Sequence, residues 1–76
     1  MIPIQIVRYT PDAPCTLQGT AAAWSAVMRR FKQDGNPRVA DRIKADIQAS
    51  RPDGPMIRLA LDPVLAGEIL RKSGIG

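Results

Sequence analysis

The chain has one cysteine, Cys15, and no histidine among its 76 residues. An internal disulfide needs two cysteines, and structural zinc sites are built mainly from cysteine and histidine ligands. Domains of this size bury only about 60% of their unfolded surface and are marginally stable without such cross-links. We therefore expect one small domain over residues 1–76, held by helix and sheet packing or completed by a partner chain.

Two segments have the alternating pattern of β-strands. In segment 2–9 one face is formed by isoleucines, namely Ile2, Ile4 and Ile6. Pro3 cannot donate a ladder hydrogen bond, so this strand starts there or lies at a sheet edge. Segment 55–61 places Ile57, Leu59 and Leu61 on one face and Met56, Arg58 and Ala60 on the other. Between the first strand and the first helix, residues 10–14 are predicted to form a loop because they contain two prolines and an aspartate.

The first helix is predicted to start from a cap at Thr16 or Thr20 and to run to about Gln33. Gly35 is suited to the left-handed conformation that ends a helix. Apolar residues recur at helical spacing and predict a buried stripe formed by Trp24, Val27, Met28 and Phe31. The largest apolar side chains of the protein are therefore expected in its core.

Two further helices begin at a capping residue followed by proline, at Asn36-Pro37 and at Asp62-Pro63. The second helix ends before a predicted turn at residues 52–54, which have the sequence Pro-Asp-Gly. The third ends near Gly74. The predicted buried residues are Val39, Ala40, Ile43 and Ile47 in the second helix, and Leu65, Ala66, Ile69 and Leu70 in the third.

These elements predict a small α+β fold in the order β-α-α-β-α. If the two strands pair in parallel, the helical hairpin is a right-handed crossover and the helices cover one face of a short sheet. A two-stranded sheet is marginal alone and leaves both edges open. We expect a homodimer or a strand from a partner protein to complete it.

Positive charge is concentrated around the turn between the first two helices. The net charge of the chain is +4. Five cations lie within fourteen residues there: Arg29, Arg30, Lys32, Arg38 and Arg42. Such a cluster favours anionic partners, either nucleic-acid phosphates or an acidic protein surface. The alternative is a solvated helix surface with local ion pairs of little energetic weight.

The sequence offers no catalytic constellation. Without histidine, Cys15 has no imidazole base, so Cys–His catalysis is excluded and a buried structural role is expected. Four aspartates stand at predicted turns and caps, where this residue has local structural roles: Asp12, Asp34, Asp53 and Asp62. We therefore expect a protein that is not an enzyme, with no catalytic residues, no metal and no cofactor.

The expected function is that of a small interaction protein that binds a larger protein or protein–nucleic-acid complex and modulates or inhibits it. Tyr9, Met56 and Arg58 are the predicted interface residues. The size of the chain, its start at Met1 and its glycine-capped end resemble the small free-standing proteins of phages and mobile elements. The alternatives are a nucleic-acid-binding protein that uses the basic helical hairpin and a structural subunit of an assembly.

The cellular location is predicted from what the sequence lacks. No apolar run approaches the roughly 20 residues of a membrane span, and the N-terminal segment lacks the pattern of a secretory signal. A single unpaired cysteine suits a reducing compartment. We therefore expect a cytoplasmic protein with no membrane partner.

Overall fold

Six elements follow one another in the order β-β-α-α-β-α. The computed structural model describes residues 2–12, 14–50 and 54–74. The elements are β1 (Gln5–Arg8), β2 (Cys15–Thr20), α1 (Ala21–Gln33), α2 (Pro37–Ala49), β3 (Met56–Leu61) and α3 (Pro63–Ser73). The α+β class and the three predicted helices are confirmed. Of the predicted turn at residues 52–54, only Gly54, with φ 92°, lies within the described residues.

The central strand of the sheet, β2, is absent from the sequence-based prediction, which assigned its residues to a loop and a helix start. It pairs antiparallel with β1 on one side and with β3 on the other. Its side chains alternate between the core and the outside, with Cys15, Leu17 and Gly19 buried. The two predicted strands therefore do not pair with each other, and the parallel arrangement that direct pairing would have required does not form, because β2 lies between them.

The edge strand β1 starts later than predicted and is more exposed. All of Gln5–Arg8 is exposed, and the register with β2 is irregular between Ile6 and Arg8. The predicted isoleucine face is only partly buried, since Ile4 is 3% exposed but Ile6 is 49% exposed. β3 is also an edge strand but buries its inward side chains, so the difference is that the helices pack mainly over β2 and β3.

The helix ends follow the local sequence signals closely. Thr20 caps α1 and Asp62 caps α3, each accepting from the backbone N–H three residues further on at 3.1 Å. The alternative cap at Thr16 is wrong, because Thr16 lies inside β2. Asn36 precedes α2 without a side-chain capping hydrogen bond. Gly35 ends α1 with φ 83°, a conformation that costs glycine little.

The core lies between the helices and one face of the sheet. Its largest side chain, Trp24, is fully buried, and its indole Nε1 donates to the carbonyl of Ile57 at 3.0 Å. This bond fixes α1 against β3 across 33 residues of sequence. The buried stripe of α3 and the inward face of β3 are as predicted. Three residues predicted in the core are only partly buried and pack against it: Met28, Val39 and Ile47.

Candidate binding surface

The sheet surface opposite the core carries polar side chains from all three strands. Residues directly opposite each other on antiparallel strands project to the same face. The strand register therefore defines this surface, here called the open face, as Gln5, Arg8, Thr16, Gln18, Thr20, Met56, Arg58 and Ala60. Each of these residues is exposed or half-buried, in contrast to their buried neighbours on β2 and β3. The helices thus cover one face of the sheet only.

A hydrogen-bonded row crosses the open face. Arg58 Nε donates to Gln18 Oε1 at 2.9 Å, and Gln18 Nε2 donates to Gln5 Oε1. The three side chains stand on register partners, one on each strand. The row orders long polar side chains that would otherwise be mobile on an exposed sheet, and it keeps the guanidinium of Arg58 on the surface.

The charge of the open face has one sign. Its two charged residues are Arg8 and Arg58, and it includes no carboxylate. It also includes no aromatic ring, so it lacks the stacking platform that sheet-based single-strand nucleic-acid binders use. The positive charge of the open face favours an anionic partner surface.

The outer edge of β1 combines unpaired backbone with exposed apolar side chains. Within the described part of the chain, no backbone hydrogen bond is made on the side of β1 that faces away from β2. Ile6 and Val7 are 49% and 46% exposed, and Tyr9, just beyond the strand, is 52% exposed. Three of the four large hydrophobic residues that are exposed in the described structure therefore lie in one four-residue segment.

The end of this segment lies beside α3. A methyl group added to Gly67 would lie 3.9 Å from the Tyr9 hydroxyl oxygen. Further towards the N-terminus, the backbone N–H of Ile2 donates to the carbonyl of Ser73 at 2.9 Å. Residues 2–9 therefore run antiparallel to α3.

The predicted interface residues fall on two parts of this surface. Met56 and Arg58 lie on the open face in β3, where Met56 is half-buried and Arg58 exposed. Tyr9 lies beyond β1, and two strand spacings of about 4.8 Å each separate β1 from β3. Sequence reasoning missed the exposed Ile6 and Val7. The available signal was their adjacency, because neighbouring strand residues face opposite ways and a sheet covered by helices on one face only cannot bury both.

The predicted basic cluster is divided by ion pairs to opposite ends of α3. Arg30 Nε lies 3.7 Å from Asp34 Oδ2, and Asp34 also accepts a hydrogen bond from Lys72 in the last turn of α3. Arg42 lies 3.6 Å from Asp62, the cap at the start of α3. Ten residues of helix separate these ends by about 15 Å. The five cations therefore do not all face one ligand.

The ion-paired end of α1 is a local stabilising contact that the sequence did not reveal. The hydrogen bond from Lys72 is the main cause that lowers the pKa of Asp34; desolvation opposes it, and the charges of Lys72 and Arg30 add to the lowering. Lys72 also lies 5.7 Å from the centre of the Phe31 ring, a cation–π distance. No local signal joins these residues, because Lys72 is 38 positions from Asp34.

Three members of the basic cluster remain available to a ligand. Arg29, Lys32 and Arg38 are exposed, and none forms an ion pair with any other described residue. Arg29 and Lys32 extend from the second half of α1, and Arg38 from the first turn of α2. This smaller set is the part of the predicted anion-binding surface that the structure leaves unneutralised.

Cys15 is buried, and the possible metal-ligating side chains of the described residues do not cluster. Cys15 is fully buried, and its Sγ donates to the Thr10 carbonyl at 3.4 Å. Among residues 2–12, 14–50 and 54–74, no three His, Cys, Asp or Glu side chains are grouped so that they could hold a metal ion. No described helix has the length and apolar character needed to cross a membrane.

Comparisons with protein-family models, with curated proteins and with solved structures found no match to this chain.

Proposed function

We propose that this chain is a non-enzymatic binding protein that attaches to a larger protein through the β1 edge and the open face. The observation that carries the proposal is the β1 edge itself, where unpaired backbone and the exposed side chains of Ile6, Val7 and Tyr9 coincide. Exposed strand edges accept additional strands through main-chain hydrogen bonds. Modulation or inhibition of the partner would follow from occupation of its surface.

The size of the contact can be bounded from exposure. Fully burying a large apolar side chain contributes about 1.5–3 kcal/mol, so covering the exposed halves of Ile6, Val7 and Tyr9 contributes roughly 1 kcal/mol each. Association costs at least about 4 kcal/mol in lost freedom, so burial of these three side chains is not enough without the main-chain hydrogen bonds of an added strand. A standard interface of about 800 Å² per partner is about a sixth of the 4905 Å² accessible surface, which requires the open face as well.

The test is capture of a partner protein from a cell lysate by the wild-type protein, by a β1 variant and by a control variant. Ile6→Lys with Val7→Lys adds two positive charges at the β1 edge, and the control Val64→Lys adds one at a residue of α3 that is 76% exposed. Nuclease and high salt remove contacts made through nucleic acid. We expect a specific protein to be retained by the wild type and by Val64→Lys and lost by the β1 variant. Equal capture by all three would exclude the β1 edge.

A second candidate function is nucleic-acid binding through Arg29, Lys32 and Arg38. Their exposure and lack of ion pairs within the described residues favour it. Phosphate contacts predict affinity that falls steeply with salt, with a slope that decreases by about one for each contact removed. Arg29→Glu with Arg38→Glu should therefore abolish binding to duplex DNA and flatten the salt dependence. Weak binding that the double variant does not change would dismiss this function.

A further inference from the structure

We infer that the occupant of the β1 edge is an extended strand of a partner protein in which acidic and apolar side chains alternate. The inference rests on the proposed function and specifies the chemistry of the partner. It follows from the two faces of β1, which present different chemistry to any strand that pairs beside it.

On the open face, β1 favours acidic side chains on a strand that pairs beside it. Gln5 and Arg8 lie on this side, as their register partners Gln18 and Thr16 show. Side chains directly opposite on an added strand would come within about 5 Å of them. Opposite charges across such a pair stabilise it, and like charges destabilise it. Arg8 is exposed and forms no ion pair with another described residue, so its charge is available to a partner.

On the core side of the sheet, β1 favours apolar side chains on a strand that pairs beside it. Ile6 is the register partner of Leu17, which is fully buried, so Ile6 points to the core side of the sheet although it is 49% exposed. A side chain opposite Ile6 on an added strand would extend the hydrophobic core outward. A strand that is acidic on one face and apolar on the other satisfies both sides of β1 at once.

The positive charge of Arg8 disfavours a second copy of this chain as the strand that pairs with β1. Between residues 2 and 9 the only charged side chain is Arg8, so a copy of β1 brings a cation and no anion to the open side. Each chain also carries a net charge of +4.

The test uses labelled peptides of about eight residues in which valine alternates with glutamate, glutamine or lysine, a length typical of a strand. Binding to the full chain is followed by fluorescence anisotropy. We expect the glutamate peptide to bind about tenfold more tightly than the lysine peptide, with glutamine between them. Arg8→Glu should reverse that order. Lys44→Glu changes net charge equally at an exposed site on α2 and should leave the order unchanged.

The outcomes separate the inference from the proposed function. If the three peptides bind equally and all are lost in the Ile6→Lys, Val7→Lys variant, the acidic specificity is overturned and the β1 contact stands. If the peptides bind that variant as well as the wild type, both are overturned. A dimer in sedimentation that dissociates in the Val7→Lys variant also overturns the inference, because the occupant is then a second copy. Circular dichroism confirms that each variant is folded.

Discussion

Gly19, in the middle of the sheet, provides a sharp test of the packing beneath β1. A Cβ at this position would lie 2.8 Å from Cδ1 of Ile4 and 3.4 Å from Cβ of Ala23. Ile4 is only 3% exposed, so its terminal methyl group has little free space into which to move. We therefore expect Gly19→Ala to destabilise the fold by overpacking, although alanine normally suits a strand better than glycine.

The magnitude follows from two opposing effects. Overpacking of a well-packed core costs about 1–3 kcal/mol. Replacing glycine restricts the unfolded chain and returns about 0.4–1 kcal/mol. The net loss for Gly19→Ala is therefore about 1 kcal/mol, or roughly 4–8 °C in the unfolding midpoint of a domain of this size. Ile4→Val removes the methyl group that the new Cβ would meet, and alone it costs about 0.5–1.5 kcal/mol.

Urea unfolding of both single variants and the double variant measures the coupling. Since Ile4→Val clears the space that Gly19→Ala needs, the double variant should be more stable than the sum of the two losses predicts, by about 1 kcal/mol. Additivity within about 0.5 kcal/mol, the usual result for independent sites, would refute the close approach of Ile4 to Gly19. A stabilising Gly19→Ala would refute it as well.

Three further changes test other parts of the structure by unfolding in urea. Gly67→Ala should stabilise by about 1 kcal/mol, because the new methyl group lies in a helix at ordinary contact distance from Tyr9. Trp24→Phe should destabilise by about 2 kcal/mol or more, because a buried carbonyl of β3 loses its donor. The hydrogen bond from Lys72 lowers the pKa of Asp34 below its ordinary value of 3.8. The ionised carboxylate therefore stabilises the fold above that pH, and this stabilisation is lost as the pH falls and Asp34 is protonated. Asp34→Asn should therefore cost less stability near pH 2 than near pH 7, and equal costs would contradict the pairing.

Local sequence signals are sufficient to predict the three helices and the last strand, β3. Cap-and-proline pairs gave the starts of α2 and α3, and alternating residues gave both faces of β3. These signals act within a few residues of one another, so they do not depend on the rest of the fold. The same holds for Gly35, whose left-handed conformation is favoured in this turn whatever packs around it.

The strand β2 could not be recognised in this way. Gly19 is unfavourable inside a strand, and Thr20 precedes a run of alanines, so the local pattern favours a helix start. What makes Cys15–Thr20 a strand is pairing on both sides, including partners about 40 residues away in β3. Non-local pairing of this kind leaves only a weak signal in a short segment. Without β2, the sequence left the pairing of the two predicted strands open; both pair antiparallel with β2 and not with each other.

The candidate surface was predicted only in part. Arg58 and Met56 were placed outward correctly because β3 alternates clearly. The basic cluster was treated as one surface, but Arg42 pairs with Asp62 and Asp34 with Lys72. Both contacts join residues that are distant in sequence, so they depend on how α3 packs against the hairpin. Charge proximity along the chain therefore overstated the number of cations free to bind a ligand.

The most direct measurement is amide hydrogen exchange of the full chain, alone and bound to the captured partner protein. Addition of a strand to the β1 edge pairs backbone groups that are open in the free protein. We predict that amides within Gln5–Arg8 exchange at least about tenfold more slowly in the complex, while those of α2 are unchanged. Unchanged exchange in β1, with protection confined to the hairpin around Arg29 and Arg38, would contradict the proposed site.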